Sequence, residues 1–136
     1  MGVVKAGICV HLKSVDQSKH LHIVLTDPNG QPPTVAIVSL RTHRKELDET
    51  VVLGPSDHPF VKRKTIVQYA WAKIIESDKL ETAIQSDLTL RHKQDCSPEL
   101  LKQIRDGLFK SPFTTPRIKS YCQDALFPIR KSNPNK

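Results

Sequence analysis

"HLHIVLTDPNGQPPTVAIVSL", His20 to Leu40, is the stretch on which the fold turns. A β-branched run, "HLHIVLT", stops at "DPNGQPP", where Asp, Pro, Asn and Gly crowd together as they do in turns. A second run, "TVAIVSL" from Thr34 to Leu40, follows at once. Two such runs around a turn cluster predict an antiparallel hairpin with a long loop. The unbroken triplet Ile23-Val24-Leu25 fits a strand partly buried on both faces.

Reading outward, "AGICVHL" upstream alternates small or apolar residues with others, as a half-buried strand does. Downstream, "TVVL" ends at Gly54-Pro55, and "KTIVQYAWAKII" carries a further strand or two. Short strands at this spacing, without long helices between them, predict a small twisted barrel or sandwich. After Leu90 the period changes. Ser97 is placed as an N-cap, with Pro98 at the first helical position and Glu99 complementing the dipole. Leu100, Leu101, Ile104 and Leu108 then mark one helical face, and "KSPFTTP" ends it. A second helix starts at Thr115-Pro116 and carries Ile118, Tyr121, Cys122 and Ala125 at helical spacing. A shorter helical turn, capped by Ser77, is expected around "SDKLETAIQSD". The tail "RKSNPNK" has nothing to bury and should fray. The expected class is therefore mainly β with an α extension. Residues 1–90 form the barrel, 91–126 two C-terminal helices packed on it, and 127–136 a flexible tail.

The composition bounds what such a domain can be. At 136 residues, 38% of them hydrophobic and 26% charged, the chain fits one soluble globular domain. No apolar run approaches the roughly 20 residues that cross a bilayer. The first residues show one short apolar stretch, broken by His11 and Lys13, with no signal-peptide cleavage pattern. Cys9, Cys96 and Cys122 are odd in number and form no Cys-x-x-Cys, which predicts reduced thiols in a cytoplasmic protein and no structural zinc. The charge is +7 and uneven: residues 1–90 carry 11 Lys/Arg against 10 Asp/Glu, residues 91–136 carry 10 against 4. Such an excess is an argument about polyanionic partners and solubility, not about fold.

Several enzyme classes drop out. There is no Gly-rich phosphate loop, no Gly-x-Ser-x-Gly elbow and no His-Glu-x-x-His helix. His20 and His22 lie two apart, on one face of a strand, and either enter that strand or hold a metal with Asp57-His58 as further ligands. The stretch "GPSDHPFVKRKTIVQY", Gly54 to Tyr69, sets Asp57 and His58 before Pro59 and three cations before a β-branched segment. Pro59 biases His58 away from helix. Asp57 can then cap local backbone as an Asx turn or orient a histidine. Lys62 would sit at the mouth of the strand, with Arg63 and Lys64 as solvated cations. Tyr69 and Trp71, two apart, would share a face, Trp71 in the core and Tyr69 reaching a site with its hydroxyl.

"KHLHIVLTDP", "VAIVSLRT" and "ETVVLGPSDHPFVKRKTIVQYAWAKI" resemble, in this order, the PemK/MazF group of toxins. The likeness covers about residues 6 to 125 and is closest to a branch with an Asp-His-Pro-Phe stretch and a helical C-terminal extension. It implies an SH3-like barrel and a metal-independent endoribonuclease cutting single-stranded RNA, with RNA and an antitoxin protein as partners, no cofactor, and a possible homodimer. Such a reaction needs a base for the 2′-OH proton, an acid for the leaving 5′-oxygen, and cations around the phosphate. By the resemblance the family's catalytic Arg falls on His20 and its Thr or Ser on Thr42, with Asp57, His58, Lys62 and Tyr69 around them and Arg41, Arg63 and Lys64 gripping RNA. An imidazole moves protons near neutral pH but lacks the guanidinium fork, so the phosphate grip passes to Lys62 or Arg41. The alternative is a catalytically silent barrel that binds protein or nucleic acid.

Overall fold

A computed structural model of the chain describes residues 2–13, 17–45 and 47–128. Five strands, β1 (Cys9–Lys13), β2 (Lys19–Val24), β3 (Thr34–Thr42), β4 (Val52–Leu53) and β5 (Thr65–Glu76), form one antiparallel sheet in the order β1-β2-β3-β5-β4. The predicted hairpin is β2–β3, joined by the loop that carries Asp27 to Pro33. Where a closed barrel is expected, the sheet curls into half a barrel and leaves β1 and β4 as edges. Closure fails for a local reason. The "TVVL" segment yields only the two-residue β4, too short to reach another edge. Helices complete the core instead.

Three helices follow β5 rather than the expected two: α1 (Ser77–Ser86), α2 (Pro98–Lys110) and α3 (Pro116–Leu126). The sheet is buried on both sides, which is why β2 and β3 read as continuous apolar runs. On one face Leu21, Ile23, Leu25, Ala36, Val38, Leu40, Val67 and Tyr69 pack against Leu100, Ile104 and Leu108 of α2 and Ile118 and Cys122 of α3. Burying side chains such as Ile104 and Leu108 contributes about 1.5–3 kcal/mol each relative to leaving them in water. On the other face Ile8, Val10, Val24, Val35 and Ile37 pack against Leu80 and Ile84 of α1.

The caps explain where the helices begin. Ser97 Oγ accepts from Leu100 N–H at 3.0 Å, and Thr115 Oγ1 accepts from Ile118 N–H at 3.3 Å. Each satisfies a backbone donor that the first helical turn leaves unpaired. Ser77, expected as the cap of a short turn, is instead the first residue of α1, which is ten residues long and has Glu76 at the cap without a side-chain bond. The Ser77 hydroxyl donates to the Pro33 carbonyl at 3.2 Å, tying α1 to the hairpin loop.

Two more features position the site. Residues 91–96 run beside β1, with His92 N–H on the Cys9 carbonyl at 2.8 Å and Cys96 N–H on the Gly7 carbonyl at 2.9 Å. The β3–β5 ladder shifts register: Ile37 faces Lys73, whereas Ser39 faces Gln68. Val38 thus stands opposite the whole stretch from Tyr69 to Ala72, and β5 bulges there. The tail expected to fray from residue 127 lies outside the described residues from 129 onward. Phe127 itself still packs on Phe109, ring centroids 6.0 Å apart. No helix among the described residues is long and apolar enough to cross a membrane.

Candidate functional site

The ladder between β2 and β3 runs only from Val24↔Ile37 to His22↔Ser39. Beyond that point β2 stays with β1 as far as Lys19, and β3 stays with β5 as far as Thr42. The sheet therefore forks. A cavity of about 410 Å³ occupies the fork, lined by Lys19, His20 and Leu21 from β2 and by Leu40, Arg41 and Thr42 from β3. Thr65 of β5 and Phe60, Lys62 and Arg63 of the preceding loop complete it. Among the described residues four cations line the cavity, and no carboxylate does. Charges of one sign in a hollow with apolar walls focus the field there and draw in an anion.

Each side chain has a local reason for its place. His20 and Arg41 stand where the two strands part. Ser18 Oγ lies 2.9 Å from His20 Nε2, and the His20 ring meets Trp71 edge-on at 6.3 Å between centroids. Thr65 Oγ1 donates to the Arg63 carbonyl at 2.8 Å, bending the loop so that its cations precede the strand. His43 N–H donates to the Lys64 carbonyl at 2.9 Å, while the exposed Lys64 side chain lies outside the cavity lining.

The "DHPF" stretch builds the loop. Asp57 Oδ2 accepts from Gly54 N–H at 2.7 Å and Asp57 N–H donates to the Gly54 carbonyl at 3.0 Å, closing the turn by bonds three residues back in place of the expected Asx turn, whose side chain bonds two residues on. His58 is buried; its Nδ1 accepts from Phe60 N–H at 3.0 Å and its Nε2 donates to the Gln94 carbonyl at 2.8 Å. Both ring nitrogens are used, which fixes the neutral tautomer. The His92 ring lies 5.0 Å from that of His58, and burial holds His92 below the usual histidine range. Phe60 is thereby held at the cavity wall, edge-on to His11 at 5.7 Å and to His92 at 6.2 Å.

Of the residues expected at the site, the fork brings together His20, Thr42, Lys62, Arg41 and Arg63. Asp57, His58 and Lys64 are not in its lining. Tyr69 does not line the cavity: it is wholly buried in the core against α2, where its hydroxyl donates to the Ile104 carbonyl at 2.8 Å and burial pushes its pKa far up. The bulge reverses the expected roles of the two aromatics. Tyr69 enters the core, and Trp71 emerges on the opposite face beside Gln68. Sequence reasoning does not single out Lys19 or Thr65. Lys19 is the chain neighbour of His20, but Thr65 enters through its pairing with Thr42, which only the register shows.

His22, one step down the fork from His20, is 3% exposed, and its Nδ1 donates to the His20 carbonyl at 3.0 Å. Burial, with Lys73 nearby, lowers its pKa to about 4, so it is neutral at physiological pH. Among the described residues no group of three or more His, Cys, Asp and Glu side chains is placed to hold a metal ion. The arrangement offers an anion site with one imidazole and a hydroxyl at hand. Compared with family models, with curated proteins and with solved structures, the chain matches none.

Proposed function

We propose that the fork cavity holds a backbone phosphate of single-stranded RNA and that the protein is a toxin-like endoribonuclease of the PemK/MazF type, working without a metal. The observation that carries this reading is the convergence of Lys19, Arg41, Lys62 and Arg63 on one cavity that also contains His20 and Thr42. In the reaction so read, His20 takes the proton of the 2′-OH, whose oxygen attacks the adjacent phosphorus and expels the 5′-oxygen. Arg41 and Lys62 stabilise the charge that develops on the phosphoryl oxygens, and Thr42 donates a hydrogen bond to one of them. Arg41 supplies the bidentate grip that His20 lacks. On the same reading the protein is cytoplasmic and its partner is an antitoxin that covers the fork.

The lining also favours a second reading. Among the described residues it sets four cations beside a single imidazole, that of His20, with no carboxylate to pair with it in proton transfer. A fork that grips RNA without cutting it would need no more. One experiment separates the two: incubation of mixed single-stranded RNAs with purified protein in EDTA. Cleavage that falls about 10²–10⁴-fold in His20→Ala supports the nuclease. Retention of RNA without cleavage supports the binding module, and no retention at low salt rejects both.

A further inference from the structure

Beside the fork, on the face of β5 away from the core of α2 and α3, lies a second hollow of about 210 Å³. Arg41 lines both hollows, so the two are contiguous across one side chain. The second is half the size of the first and below the roughly 300 Å³ at which drug-sized pockets begin, on the scale of a single planar ring. Its walls are Trp71, Ile66 and Phe113, the last 52% exposed on the connection between α2 and α3.

The polar group in this hollow is Gln68. The residue is 7% exposed, and its Oε1 accepts from Ser39 Oγ at 3.0 Å. That bond orients the amide and leaves its NH₂ group without a partner among the described residues, on a side chain that lines the hollow. Among the described residues the buried side-chain atom left unpaired is Thr114 Oγ1, so this NH₂ group keeps accessible surface and is open to a ligand's acceptor. Asp48, also on the wall, is engaged elsewhere: it accepts from Thr50 N–H at 2.9 Å and from Ser111 Oγ at 2.6 Å. The hollow thus offers an aromatic face, an apolar floor and oriented donors, one residue away from an anion site.

We propose that this hollow takes the nucleobase next to the phosphate held in the fork, an inference that rests on the RNA reading above. The base stacks on Trp71, and a ring carbonyl oxygen accepts from the Gln68 amide. Uracil, with two carbonyl oxygens, satisfies those donors. Adenine's two-bond pairing with a Gln amide also needs the amide oxygen, which Ser39 engages here, so adenine is disfavoured. Gln68 is then the specificity-determining residue, and Ser39 positions it.

Trp71 is the only tryptophan in the chain and lines the hollow, so its fluorescence reports on it, with the abasic oligomer as the control for any change passed on from the fork through His20. The test is titration with short oligouridylate, oligoadenylate and an abasic ribose-phosphate oligomer of equal length, with labelled-oligomer anisotropy as a second readout. Oligouridylate should quench Trp71 saturably, whereas the abasic oligomer should bind by anisotropy without quenching. Gln68→Leu should weaken oligouridylate about two- to tenfold, as for one lost hydrogen bond, and leave the abasic oligomer unchanged. Ser39→Ala, with Gln68 intact but no longer oriented, should narrow the preference for uracil. Equal affinity for all three oligomers, with no quenching, overturns the base subsite and leaves the phosphate site standing. Failure of every oligomer to bind overturns both.

Discussion

Tyr69 and Gly107 are in contact across the interface of sheet and helix, and neither tolerates a larger partner. A methyl at Gly107 would overlap the Tyr69 hydroxyl and a methyl of Val51. That close approach lets Tyr69 reach the Ile104 carbonyl. Gly→Ala inside a helix ordinarily stabilises by about 1 kcal/mol. Here the overlap dominates, and Gly107→Ala should destabilise by about 1–3 kcal/mol in urea unfolding. A stabilised variant would show that α2 can shift away from β5.

Tyr69→Phe removes one buried hydrogen bond without changing the packing. It should cost about 1 kcal/mol, the Ile104 carbonyl keeping the bond that Leu108 N–H gives it within α2. RNA binding and any cleavage should be unchanged, because the hydroxyl is bonded to Ile104 of α2 and Tyr69 lines neither hollow. A loss of activity without loss of stability would return Tyr69 to the site.

His22 should make stability depend on pH. Its folded pKa of about 4 lies below the 6.5 of a free imidazole, so between these values the unfolded chain binds more protons. Its contribution is full above pH 6.5 and is lost as the pH falls toward 4, at up to about 1.4 kcal/mol per unit. His92, also shifted down, adds to the same slope at the upper end of the window. Unfolding free energies from pH 7.5 to 4.5 should show this fall, and His22→Asn, which keeps an amide donor, should flatten it. An equal slope in the variant would place the effect in other groups.

RNA affinity should depend on salt through the fork. If Lys62 and Arg63 each neutralise one phosphate, removing either should reduce the slope of log K against log salt by about 0.7, the value for single strands. Lys64→Ala, outside the lining, should change the slope least. Equal slopes in all three variants would place the contact surface elsewhere.

The thiols should react in a set order. Cys9 and Cys96 lie 3.9 Å apart through their sulfurs. The Cys9 S–H, hydrogen-bonded to Cys96, holds the partly exposed Cys96 below the usual thiol range, while Cys9 keeps its proton and is shifted well up. Burial pushes Cys122 up to about 11. Alkylation near pH 7.5, read by peptide mass, should modify Cys96 first, since the thiolate is the reactive form. Cys9→Ala should slow that step by removing the donor.

The order of elements was legible in the sequence because its signals are local. Asp27 to Pro33 punctuate the hairpin, and Ser97-Pro98 and Thr115-Pro116 start helices at their own backbone donors, whereas α1, at Ser77–Ser86, lies before the change of period expected after Leu90 and reads only as a short turn. The cations Arg41, Lys62 and Arg63 and the imidazole of His20 could be singled out by type and by likeness. Their convergence could not. It depends on where the β2–β3 ladder stops, and nothing within either strand marks that point. The bulge in β5 also hid the exchange of Tyr69 and Trp71, since two residues at even spacing share a face only while the strand is regular. Asp57 and His58 look like catalytic residues when read by type. Only tertiary structure shows their polar atoms taken by Gly54, Phe60 and Gln94. Local sequence sets which backbone groups pair within an element. Which side chains meet depends on register and packing between elements, which the whole chain decides together.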